Sequence, residues 1–280
     1  MEETQKKSEN TAPELNGQWC LDIEMQSGQT LFNELGGLRL WVTLLDQEWQ
    51  VRTERYERAG EDTVWHQQLG FVVPEQEKTL ERFVRAGESP VLRFRPALAD
   101  RPVVIRPHNP VYLPPGASST FYLSTIVWMQ LVVGKEDRML MELPVMVPSW
   151  TWMGRDTMEG ELCYATKTYA RLAAEAVPRR PWRANTAIHI VNERKSALLL
   201  ERLSLPTHLL RLYQQNPEGG TNRWLWTPGV TVTCEKDLAT ASLNFDGKPP
   251  PEAGPCERVS EARVGLEKGQ LIKAIDRIFG

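Results

Sequence analysis

From Trp19 onward, apolar and polar residues alternate in short runs, the spacing of strands with one covered face. Trp19, Leu21, Ile23 and Met25 share a face, with Asp22 and Glu24 opposite. Gly36 and Gly37 open a second run, residues 38–45, with faces Leu38/Leu40/Val42/Leu44 and Arg39/Trp41/Thr43/Leu45. In a third, Trp49, Val51 and Thr53 alternate with Gln50, Arg52 and Glu54. These three predict an antiparallel meander with one wet face. Short runs follow at residues 64–71, 80–84, 91–95 and 103–106, with Leu92 and Phe94 on one face and Arg93 and Arg95 on the other. The Pro114-Pro115-Gly116 turn leads into longer runs at 121–133 and 138–147.

A second β-rich half begins near residue 148. Residues 161–172 alternate, 170–177 fit a short helix ended by Pro178, and 186–192 fit a strand with Ile188 and Ile190 on one face. Residues 197–203, 224–226, 230–234 and 239–245 complete the strands, with a helical turn over 208–215 capped by Thr207. The expected organisation is a disordered tail over 1–14, a β-rich domain over 15–246 and a Pro-rich linker over 247–256. A helical segment over 257–280 closes the chain. Its helix is expected at 266–279, because Leu271, Ile272, Ile275, Ile278 and Phe279 form one stripe at i, i+1, i+4, i+7 and i+8. A lone helix of that length is marginal in water, so the stripe should dock on its own body or mediate self-association. The fold class expected is mainly β: one or two packed antiparallel sandwiches with a short C-terminal amphipathic helix.

Composition narrows this further. The 280 residues are 41% hydrophobic and 25% charged, which is ordinary for a globular protein. The 33 Lys and Arg against 36 Asp and Glu give a net charge of −3, so no global field draws nucleic acid or anionic lipid. No apolar run is long enough for a transmembrane helix, and the polar N-terminus does not read as a signal peptide. A soluble, cytoplasmic protein is the expectation. Cys20, Cys163, Cys234 and Cys256 lie far apart, with no metal-ligand spacing, and read as reduced structural thiols. The excess lies in tryptophan, 10 residues against 7 Phe and 6 Tyr. Each brings a large apolar area and an N–H that needs a partner when buried.

Candidate chemistry is sparse. Nucleotide-loop, zinc-protease and nucleophile-elbow motifs are all missing, so no catalytic residue, metal or cofactor is assigned. The densest mixture of aromatics, charge and glycine spans residues 149–164. One reading is a ligand loop, with Trp150 and Trp152 as a stacking platform and Arg155, Asp156, Glu159 and Glu161 as polar hooks. The other is a crossover loop whose two Trp rings plug the core while Arg155 pairs with a carboxylate. Arg179, Arg180 and Arg183, interleaved with Trp182, form a candidate polyanion patch; the alternative is a solvated loop whose arginines pair with acids elsewhere. Nucleic acid is not the expected partner.

Several segments together resemble a known family. They are Arg106-Pro107 and Pro110 to Gly116, Phe121-Tyr122, Val127-Trp128, Ser149 to Gly154, Glu159 to Tyr164, Lys167 to Arg171, Ile190 to Asn192 and Leu198 to Pro206. The family is an uncharacterised prokaryotic one, the domain of unknown function numbered four-three-two, and the likeness covers roughly residues 19–245. The resemblance implies a domain identity and no catalytic residues. The function expected is a non-enzymatic module that binds a protein partner or a small polar ligand. The alternative is an enzyme or a sugar- or metabolite-binding protein using residues 150–164.

Overall fold

Alternation in the sequence becomes strand along most of the chain. The structure, a computed structural model, describes residues 14–56, 65–73, 79–107, 109–156, 158–216, 223–235, 240–265, 271–274 and 278–279. Contacts divide the chain into two units. The first is Met1–Arg93 with Val133–Arg138, and the second is Phe94–Val132 with Met139–Gly280.

The first unit contains β1 (Glu14–Asn16), β2 (Ile23–Glu24), β3 (Thr30–Leu35), β4 (Leu38–Leu44), β5 (Glu48–Arg55), β6 (His66–Leu69) and β7 (Thr79–Val84). Six of them form an antiparallel sheet in the order β1-β6-β3-β4-β5-β7. Residues 19–25, expected as the first strand of the meander, hold only β2, which pairs with Val91 and Leu92; the meander is β3, β4 and β5 instead, with β4 and β5 where the alternation predicts them. Its faces differ in one respect: Trp41 and Thr43, on the expected wet face of β4, are buried too. The reason is a second apolar layer. Phe32 lies 5.2 Å from Trp41 and 4.7 Å from Phe71, ring to ring. The Thr30 and Thr43 hydroxyls satisfy each other at 2.8 Å. Buried Asn33 accepts from Trp65 Nε1–H at 2.6 Å and from Gln67 at 3.0 Å.

Trp49 is fully buried, and its indole N–H donates to Glu88 at 3.0 Å. Glu88 also accepts from Arg138 at 2.6 Å and from the Ala86 N–H at 2.7 Å. Burial alone would raise the Glu88 carboxyl. Hydrogen bonds from backbone N–H groups, Arg138 and Trp49 outweigh it and hold the group at about 2.

The second unit starts within β8 (Val91–Ala97) and continues with β9 (Val103–Pro107), β10 (Val111–Leu113), β11 (Ser118–Ile126), β12 (Trp128–Val133) and β13 (Arg138–Pro144). Then come β14 (Ser149–Gly154), β15 (Gly160–Ala170), β16 (Arg183–Asn192), β17 (Leu198–Leu200), β18 (Leu203–Leu205) and β19 (Leu212–Gln215). The last are β20 (Leu225–Trp226), β21 (Val230–Cys234), β22 (Thr240–Phe245), β23 (Cys256–Ser260) and β24 (Leu271–Ala274). The largest sheet runs β23-β19-β20-β16-β21-β22-β24, with β11 also on β16. A second runs β14-β15-β9-β18, β13-β12-β8 run together, and β10 pairs with β17. Most pairings are antiparallel, but β15 lies parallel to β9, and β16 parallel to β20 and β21. Period 2 is common to both kinds of strand, so alternation alone does not reveal this.

The helical expectations are corrected. Residues 170–177 hold only a one-turn 3-10 helix, Ala174–Ala176; residues 208–215 hold the end of another, Thr207–Leu209, and then β19. The expected C-terminal helix is not formed. Leu271–Ala274 is β24, antiparallel to β22 from Thr240↔Ala274 to Leu243↔Leu271. Residues 266–270 and 275–277 of that expectation lie outside the described residues. The physical reason is competition for the backbone. The edge of β22 offers main-chain partners to a stretch carrying β-branched Ile272, whereas a solitary helix is marginal. Ile278 and Phe279 are buried, and the Ser204 N–H donates to Ile278 O at 2.7 Å.

Candidate functional site

The segment singled out for its aromatics is a hairpin. β14 and β15 pair from Ser149↔Ala165 to Gly154↔Gly160, so residues 155–159 form a five-residue connection. Two glycines make the turn possible. Gly154 has φ +153°, and a Cβ there would meet Glu159 O and Gly160 Cα at 2.4 Å each. A Cβ on Gly160 would meet the Trp152 indole at 2.2 Å, so that ring lies directly on the Gly160 backbone. Asp156 closes the connection by accepting the Met158 and Glu159 N–H groups at 2.8 Å each. Those two bonds lower its carboxyl below the usual range.

The hairpin's two faces have different fates. Met153 and Cys163 point inward and pack with Val104 of β9. Trp150, Trp152 and Leu162 lie on the opposite face and stay exposed, the two Trp at 59% and 41%. The rings therefore do not plug the core; Met153 and Cys163, on the opposite face, do so beside Val104 of the neighbouring strand β9. Half of the exposed large apolar side chains among the described residues fall between Met146 and Leu172. Trp150, Trp152 and Leu162 share one face, and apolar side chains gathered on a surface mark an interaction site more often than scattered exposure does.

Both exposed rings are held in place. Trp150 sits 4.8 Å from Tyr164, which in turn lies 5.3 Å from Trp128. The Arg101 guanidinium lies 5.6 Å from the Trp150 ring. The Tyr164 hydroxyl donates to Asp100 at 2.9 Å, and burial together with this bond raises its pKa. Trp152 Nε1–H donates to Asp156 O at 2.8 Å. Asp100, Arg101 and Trp128 have no sequence signal linking them to the hairpin. They arrive through tertiary pairing, Asp100 and Arg101 just ahead of β9, where Val103 is in register with Tyr164.

The proposed polar hooks do not converge. Arg155 pairs with Glu159 at 2.8 Å and lies 3.7 Å from Asp156, all three exposed at the tip. Glu161 belongs to the Met153 face, opposite the Trp rings. The three arginines do not share a surface either. Arg179 is exposed, and Arg180 is half-buried with its guanidinium 5.7 Å from the Trp182 ring. Arg183 is buried, donating to Ser124 Oγ at 2.9 Å and Ser124 O at 2.6 Å. Burial, with Arg180 nearby, lowers the Arg183 pKa to about 10, so it remains a cation at neutral pH. Its partner is a hydroxyl and a carbonyl rather than an acid, since Arg183 opens β16 against β11 with Ile126 as its register partner.

Among the described residues no group of three or more His, Cys, Asp or Glu is placed to hold a metal. In the first unit, a cleft of about 460 Å³ lined by residues such as Ala86, Glu88, Lys135 and Arg138 has Glu88 already engaged by Trp49, Arg138 and Ala86. No helix of the described residues is long and apolar enough to cross a membrane. Fold and surface together define a mainly β protein with one aromatic hairpin displayed on its second unit. The chain matches the family model described as Protein of unknown function (DUF432) over residues 22–279, and it belongs to that family. Comparison with curated proteins finds no match, and comparison with solved structures finds none.

Proposed function

We propose that the protein is a binding module without catalytic chemistry of its own. The β14–β15 hairpin is its recognition surface, offering Trp150, Trp152 and Leu162 to an extended polypeptide. The observation that carries this reading is that two solvent-facing indoles are fixed in orientation. Trp150 rests on Tyr164, and Trp152 rests on Gly160 while bonded to Asp156 O. Side chains ordered beforehand lose less entropy on binding, and Trp is a favoured anchor at interfaces. What supports binding over catalysis is that the charged groups of the tip, Arg155, Asp156 and Glu159, engage one another.

Selection of a random-peptide display library on the purified chain tests the proposal, with an oligosaccharide panel as a second arm. Peptides should be enriched, and Trp150→Ala or Trp152→Ala should weaken them at least tenfold. Enrichment of sugars alone, or peptides indifferent to both substitutions, would overturn it.

A further inference from the structure

The recognition surface also has an open main-chain edge, and one hydrogen bond fixes its polarity. The Tyr164 N–H donates to Pro102 O at 2.9 Å, on the β9 side of β15. Main-chain groups alternate sides along a strand, so Glu161, Cys163 and Ala165 turn toward β14 and meet Met153, Thr151 and Ser149. Trp150, Trp152 and Gly154 therefore direct their N–H and C=O groups away from β15. β14 ends its sheet, and among the described residues no main-chain partner reaches those groups.

We infer that this edge pairs with the same edge of a second copy of the chain, antiparallel, across a two-fold axis through Thr151. The inference rests on the hairpin being the recognition surface and names its occupant. In this register Trp150 faces Trp152 of the second copy and exchanges both main-chain bonds with it, and Trp152 does the same with Trp150. Thr151 meets Thr151 as the close, non-hydrogen-bonded pair. Four indoles and two Leu162 side chains then lie on one face of a continuous sheet.

The choice of a second copy follows from charge. Exposed edge strands are ordinarily guarded by charge, proline or shortness. β7 carries Glu81 and Arg82, β13 carries Arg138, Glu142 and Pro144, and β23 carries Glu257 and Arg258. β14, six residues long, has neither charge nor proline. An uncharged strand laid against its own copy meets no like charge, whereas a charged partner strand would gain nothing from it. The area predicts a weak dimer. The exposed fractions of the two Trp, 59% and 41%, amount to one whole Trp residue per copy. That is at most roughly 250 Å², of which edge pairing covers only a part, against about 800 Å² per partner in a standard interface. Val147 and Met158, exposed at 71% and 88%, extend the apolar surface beside it. The dimer should be weak and concentration-dependent.

Sedimentation of the full chain across the micromolar range tests this. The mass should rise from 32.0 kDa toward twice that value. Trp150→Lys combined with Trp152→Lys should hold it at the monomer with unchanged circular dichroism. In a Cys20→Ser background, Thr151→Cys should give a cross-linked dimer on mild oxidation. Ser149→Cys should not, because it faces Met153 in this register. A monomer at every concentration, a dimer indifferent to the lysines, or cross-linking through position 149 instead of 151 would overturn the inference. If the chain stays monomeric while Trp150-dependent peptide binding persists, the pairing fails and the binding proposal stands. Trp-dependent dimers without peptide enrichment give the reverse result.

Discussion

The edge strands β7 and β14 face the same hazard and meet it in opposite ways. In β7, Arg82 pairs with Glu48 of the neighbouring strand at 2.7 Å and Glu81 lies across from Val51, so any approaching strand meets charge. Beneath that edge, Trp49 is fully buried, opposite Phe83. In β14 the tryptophans themselves face outward and no charge stands on the strand. The same residue type thus serves as core in one unit and as display in the other. What separates them is coverage: Trp49 has a packed unit around it, whereas the covered face of β14 belongs to Met153.

The sharpest way to break the comparison is to truncate one tryptophan in each place. Trp49→Ala removes a fully buried ring and leaves Glu88 without one donor, so it should cost ~3–5 kcal/mol in denaturant unfolding. Trp150→Ala should cost under about 1 kcal/mol, as expected for a largely exposed position. Equal losses would mean that Trp150 is structural and would remove the distinction.

Acid titration probes the clasp on Trp49 next. The folded Glu88 carboxyl, held at about 2 against an ordinary 4.5, is depressed, so its contribution is fully present above the unfolded value. That contribution is lost as pH falls from 4.5 toward 2 and amounts to at most about 3 kcal/mol. Unfolding midpoints at neutral pH and near pH 3 should therefore differ less in Glu88→Gln than in the wild type. An unchanged acid slope would show that this carboxylate is not the one responsible.

The smallest effect on stability comes from removing the guard on β7. Glu81→Ser with Arg82→Ser touches only exposed side chains and should leave the unfolding midpoint in place. It should nonetheless lower solubility at high concentration, readable by light scattering. Undiminished solubility would mean that charge is not what protects this edge.

Much of the fold was legible because alternation is local. Strands β4 and β5, the Leu92/Phe94 face of β8 and the strand Val230–Cys234 all stand where period 2 placed them. The candidate site was half legible. Composition singles out residues 149–164, but as a loop, although Gly154 and Gly160 bracket a hairpin connection. Asp100, Arg101 and Trp128 were invisible from there, since no local pattern ties them to Trp150. Arg183 looked like a surface cation because a buried arginine satisfied by one serine has no sequence signature.

By itself, the order of residues determined that this chain forms strands, because the period of covered and uncovered side chains is written residue by residue. It also determined where the aromatics concentrate. Only the tertiary structure decided that β15 runs parallel to β9, that Leu271–Ala274 joins a sheet edge instead of a helix, and which hairpin face stays open. Those outcomes depend on which distant backbone best satisfies hydrogen bonds and excludes water, and a short window of sequence holds no record of that competition.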